Sequence, residues 1–178
     1  MSTAEIHFSP GEFLAPAVDW LNANLHGLFK VISQVIEAVL GGVEGALLAP
    51  HPYAMIGGVA LLAFFFANKK VAVFSALMLA FCLFSGLWVA SMQTIALVSV
   101  AVLISVAIAF PLGVLAARVK KVDDAFLPIL NIMQTVPPWV YLIPAVMLFS
   151  LGRVPAIIAT IVYGIPPMLR LTTLAFKQ

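Results

Sequence analysis

The stretch TIALVSVAVLISVAIAFPLGVLAAR, residues 94–118, decides the fold class. It is apolar on every face and carries no charge until Arg118. A helix needs about 20 mostly apolar residues to cross the hydrocarbon of a bilayer. A run of this length over about residues 95–117 is therefore read as a membrane span.

The rest of the chain agrees. Hydrophobic residues make up 63% of its 178 residues, charged residues 9%, and mean hydropathy is +1.15. A soluble domain carries roughly 25% charged residues to wet its surface. The class expected is an all-α membrane protein with little extramembrane mass. The net charge of +2 gives no reason to expect nucleic acid as a partner. The single cysteine, Cys82, lies in an apolar run and cannot form an intrachain disulfide. The first twenty residues lack a basic region and carry Glu5, Glu12 and Asp19, so the spans themselves are expected to direct insertion.

Working outward from residues 94–118, four further spans are expected. Span 1 covers about 53–67 and span 2 about 71–89, separated by Asn68-Lys69-Lys70. Ser91-Met92-Gln93-Thr94 is a mildly polar break before span 3. After the charged segment Arg118 to Asp124, span 4 lies within 126–151, and span 5 covers about 154–174 beyond a turn at Gly152-Arg153. Upstream, Val18, Leu21, Leu25, Leu28, Ile32, Val35 and Val39 recur at helical spacing, with polar residues mostly opposite. That pattern predicts an amphipathic helix over 18–40, in the headgroup plane or packed on the spans, ended by Gly41-Gly42. Ser9-Pro10-Gly11-Glu12 reads as a helix-starting capping box.

Cytoplasmic loops are enriched in Lys and Arg. With Lys69 and Lys70 inside and a crossing at every span, Arg118, Lys120, Lys121, Arg170 and Lys177 also fall inside; from the first span onward only Arg153 falls outside, with Lys30 on the external tail. Five spans with the N-terminus outside and the C-terminus cytoplasmic is the expected topology. The domain reading is an external tail over 1–52, two accessory spans over 53–89, and a core from 90 to 178.

Catalytic chemistry finds little support. His7, His26 and His51 are scattered, and no HExxH, CxxC or phosphate-cradling glycine loop is present. No resident cofactor or metal is expected. Span 4 is the unusual element: Asn131 to Pro144 combines amides, three prolines and two aromatics. Proline removes a donor and frees a carbonyl one turn back. Such groups are tolerated at membrane depth only beside protein or water. Two readings stand: a broken helix lining a solute path, or a kinked packing helix. Trp139 and Tyr141 fit an interfacial aromatic belt, plain packing, or a cation–π contact with a quaternary ammonium. Pro111, Pro138, Pro144, Pro166 and Pro167 are kink or hinge candidates.

Residues 130–172, LNIMQTVPPWVYLIPAVMLFSLGRVPAIIATIVYGIPPMLRLT, closely resemble permease subunits of osmoprotectant ABC importers of the glycine betaine, proline betaine and choline class. The MQTxPxxVYLIP-type run carries the resemblance, and residues 94–118 resemble the first core helix of the same permeases. Residues 1–89 match only in layout. The resemblance implies the N-terminal part of a type I importer permease. It also implies a second permease subunit as the mate in a homodimer, an ABC ATPase subunit that holds ATP and Mg, and an external substrate-binding protein. It implies a cell inner membrane location and a path built from spans 3–5. Gln134, Thr135, Pro137, Trp139 and Tyr141 match the span-4 motif and are the expected pathway residues; Pro166, Pro167 and Arg170 match the end of span 5. In these permeases a cytoplasmic EAA---G loop that couples to the ATPase follows span 5. The chain reaches Gln178 where that loop would begin, so residues 1–178 alone are expected not to couple ATP to uptake, and a truncated, non-transporting membrane protein related to these permeases stands as the alternative reading.

Overall fold

A computed structural model describes residues 10–178. The capping box begins at Ser9 and so lies partly outside the described residues. Seven helices follow in order: α1 (Pro10–Leu48), α2 (Pro52–Phe66), α3 (Lys69–Phe84), α4 (Trp88–Arg118), α5 (Lys120–Thr135), α6 (Pro138–Phe149) and α7 (Arg153–Lys177).

The centre of the fold is the pair α4 and α7. Ser105 of α4 donates to the Ile161 carbonyl of α7, and Thr173 of α7 donates to the Gly113 carbonyl of α4. Both helices advance together along this contact, so they run parallel. Small residues make the approach close: Ala96, Ala101, Ser105, Ala109, Gly113 and Ala116 are all buried along one stripe of α4. In a bilayer, where lipid is as apolar as leucine, such close packing is a main source of helix association. Two apolar clusters result. One joins Leu40 of α1 to Ala96, Val100, Ile157 and Ile161; the other joins Ala109 and Ala116 to Leu130 of α5 and Leu169.

A parallel pair requires the chain to return between its members, and α5 with α6 makes that return. At 16 and 12 residues they are about 24 and 18 Å long, each short of the roughly 30 Å hydrocarbon thickness. They meet at an angle of 94°. Of the two readings of span 4, broken or kinked, the break at Pro137-Pro138 is the one found, and the first of the two helices starts at Lys120, inside the segment read as a charged loop.

Other boundaries also differ from expectation. Helix α1 runs through Gly41-Gly42 to Leu48, because Leu40, Val43 and Leu47 pack on the first apolar cluster and hold the helix past the glycines. Ser91 to Thr94 lies inside α4: Met92 is fully buried and the Thr94 hydroxyl donates back to the Ala90 carbonyl, 2.8 Å. Span 2 does not reach residue 89. Helix α3 ends at Phe84, where Gly86 takes φ +72° and the Leu87 amide donates to the Cys82 carbonyl, 2.9 Å. That is a left-handed glycine cap. Pro111, Pro144, Pro166 and Pro167 all sit inside continuous helices.

By length and composition, three helical stretches among the described residues can each cross a membrane: Asp19–Leu48, Trp88–Arg118 and Arg153–Lys177. The bent pair α5 and α6 makes a fourth if counted as one span. Helices α2 and α3, read as spans 1 and 2, have 15 and 16 residues, and α2 is about 22 Å long. They form a hairpin closed by Asn68, whose side chain accepts from the Val71 amide, 3.0 Å. Its surface is apolar, with Leu61, Phe65, Phe74 and Phe81 all exposed.

Candidate functional site

The site is built where the return segment breaks between α5 and α6. Pro137 and Pro138 bring no amide hydrogens, so the carbonyls one turn back, on Met133 and Gln134, receive no helical bond from them. Helix α5 accordingly stops at Thr135, Pro137 takes an extended ψ of 142°, and α6 restarts with Pro138 at its first position. One orphaned carbonyl finds a partner: the Tyr141 hydroxyl reaches back across the break and donates to Met133, 2.9 Å. The Thr135 hydroxyl donates to the Ile132 carbonyl, 3.0 Å.

Tyr141 is therefore tied to the break itself, half-buried, as a clasp between α5 and α6. Gln134, Thr135 and Pro137 lie on the exposed side of the same corner. Trp139 projects from the first turn of α6 and is 75% exposed. It lines a cavity of about 290 Å³ with Pro138 and Leu142 on α6 and Ala156, Thr160 and Tyr163 on α7. Residues 156, 160 and 163 share one face of α7, while Ile157 and Ile161 turn toward α4. Thus one face of α7 holds the fold and the next faces the break. Tyr163 was not among the residues expected from sequence.

A second polar cluster sits where α4 and α7 begin. Arg153 donates to Glu37 at 2.7 Å and to Glu44 at 2.6 Å, and Gln93 donates to Glu44 at 2.8 Å. Helix α1 is further held by Asn22, which donates to the Met147 carbonyl near the end of α6, and by edge-to-face packing of Phe29 on Phe149. At the far end, Arg170 donates to Asn131, and Lys177 pairs with Asp123. Pro166 is buried in α7 and Pro167 is exposed, and neither touches the cavity beside Trp139.

Residues 109–178 match the family described as binding-protein-dependent transport system inner membrane component. These residues contain the break between α5 and α6 and all of α7. Similarity to individual permeases extends further toward the N-terminus. The glycine betaine transport system permease protein of Bacillus subtilis (strain 168) is 32% identical over 161 residues, 90% of this chain and 57% of its own length. The glycine betaine/proline betaine transport system permease protein of Escherichia coli (strain K12) is 34% identical over 167 residues, 93% of this chain and 47% of its own. The glycine betaine/carnitine transport permease protein of Listeria monocytogenes is 34% identical over 177 residues, covering 92% of this chain and 61% of its own length. The chain thus spans about half the length of the curated relatives it matches. These relatives are transport permease components, and the apolar helices α4 and α7 suit an inner membrane component.

Proposed function

We propose that the chain forms part of the translocation path of an ABC importer for a quaternary-amine osmoprotectant such as glycine betaine, proline betaine or choline. The observation that carries this reading is the return crossing, broken by 94° at Pro137-Pro138 beside a small cavity on α7. A broken helix of this kind is how many transporters place backbone polar groups along a solute path. Gln134, Thr135, Pro137 and Trp139 stand at the corner as the pathway residues, and Tyr141 holds its shape. ATP and Mg act on a separate ATPase subunit, an external binding protein delivers the solute, and a second permease subunit completes the path.

The topology proposed is five crossings, by α2, α3, α4, the α5–α6 pair and α7, with the N-terminus outside and the C-terminus cytoplasmic. It is supported by Lys69, Lys70, Arg118, Lys120, Lys121, Arg170 and Lys177, which then share the cytoplasmic side. Helix α1 then rests on the outer side, since its polar contacts fall on Gln93 and Arg153 near the starts of α4 and α7. The experiment is uptake of radiolabelled glycine betaine and choline in cells lacking their own importers. The whole protein that carries residues 1–178 is expressed with its ATPase and binding protein. Accumulation that depends on ATP hydrolysis supports the reading; a functional assembly that accumulates no methylated amine contradicts it.

A further inference from the structure

We infer that Trp139 and Tyr163 form the two walls of a cleft that takes the methylated ammonium head of the solute, in preference to a primary ammonium. The inference deepens the proposed function and rests on it. Trp139 stands on the first turn of α6 and Tyr163 on the third turn of α7, and both line the cavity of about 290 Å³. Ligand pockets start near 300 Å³, so this one suits a small molecule or one end of it. Pro138, Leu142 and Ala156 complete an apolar lining, and no charged residue contributes to it.

The lining decides which cation is favoured. A primary ammonium has three donors and loses strong hydration on entering a cavity unless acceptors replace the water. Here the lining side chains offer two hydroxyl oxygens, that of Tyr163 and that of Thr160, which already donates to the Ala156 carbonyl at 2.7 Å, fewer acceptors than the three donors need. A quaternary ammonium has no N–H to satisfy, and its methyl groups are compatible with apolar walls. Its charge is stabilised by aromatic faces, most strongly by tryptophan. The cleft therefore recognises charge without hydrogen bonds. Two aromatics from different helices also make it dependent on the angle between α6 and α7.

The test is calorimetric titration of the full chain in lipid nanodiscs with choline, with ethanolamine, and with 3,3-dimethyl-1-butanol, the neutral isostere of choline. Saturable choline binding is expected, at least about ten-fold tighter than for either comparison compound. Trp139→Leu and Tyr163→Leu should each weaken choline binding about ten-fold, while Tyr163→Phe, which keeps the ring, stays within about three-fold. Circular dichroism and size-exclusion profiles confirm that each variant is folded. Equal binding of the neutral isostere, or unchanged affinity in both leucine variants, overturns the cleft, as does absence of saturable choline binding. The two proposals fail separately. An assembled transporter that imports choline equally well with Trp139→Leu and Tyr163→Leu keeps the proposed function and loses the cleft. One that imports no methylated amine in its wild-type form loses the proposed function.

Discussion

Replacing Gly113 by alanine should destabilise the fold, although the same change elsewhere in a helix stabilises it. Gly113 lies where α4 meets α7 most closely. A Cβ there would stand 2.7 Å from Thr172 Cβ, 2.9 Å from its Cγ2 and 3.0 Å from the Leu169 carbonyl oxygen. None of these atoms is the free end of a flexible side chain, so the helices themselves must separate. Overpacking of this kind costs about 1–3 kcal/mol. Against it stands the helix preference of alanine over glycine, about 1 kcal/mol. The net loss is then up to about 2 kcal/mol by the same figures. Gly58→Ala in α2 is the control, because nothing lies within 4 Å of a Cβ built there. It should gain up to about 1 kcal/mol. The assay is reversible unfolding in mixed lipid–detergent micelles. Adding Thr172→Gly removes two of the three contacts, so Gly113→Ala and Thr172→Gly should couple favourably by about 1–2 kcal/mol in a double-mutant cycle. A Gly113→Ala protein as stable as Gly58→Ala, with no coupling to position 172, would refute the close parallel packing of α4 on α7.

Other consequences can be checked in the same preparation. Tyr141→Phe leaves the Met133 carbonyl without its partner and should cost about 1 kcal/mol; it should also broaden the distribution of spin-label distances between α5 and α6, and an unchanged distribution would remove the clasp. Thr173→Val, nearly isosteric, removes the hydroxyl whose single proton is shared between the carbonyls of Gly113 at 3.2 Å and Leu169 at 2.9 Å, and should lower stability by about 1 kcal/mol; an unaffected unfolding curve contradicts a structural role. Arg153→Ala breaks both pairs to α1, each partly exposed and worth about 0–1 kcal/mol. Hydrogen exchange in α1 should rise, and in the unmodified protein it should rise with salt; protection indifferent to both would mean that apolar contacts alone hold α1.

How much of this was legible in the sequence differs by element. The bodies of α2, α3, α4 and α7 follow from apolar runs whose length alone argues for helix. Their ends do not, because boundaries depend on contacts distant in sequence. Gly41-Gly42 looks like a stop until Leu40 and Val43 are seen packing on α4 and α7. Ser91 to Thr94 looks like a break until Gln93 is seen bonded to Glu44. The corner at Pro137-Pro138 is legible, since two adjacent prolines remove two donors whatever the surroundings. Its depth of 94° is not. Trp139 was visible as an aromatic beside that corner, whereas Tyr163 is on another helix and becomes its neighbour only when α6 folds against α7.

The central claim is that the broken crossing borders a solute path and not lipid. In a background where Cys82 is replaced by serine, single cysteines are placed at Gln134, Trp139 and Tyr163, and at Phe65 on the apolar hairpin. Each is exposed in the isolated chain. Reaction with a membrane-impermeant maleimide requires water, because the thiolate is the nucleophile. In the assembled transporter, the account predicts labelling at the three crossing positions, slowed at Trp139 and Tyr163 by choline, and none at Phe65. If the three crossing positions are as unreactive as Phe65 in both inward- and outward-facing states, the corner faces lipid, and the path lies elsewhere.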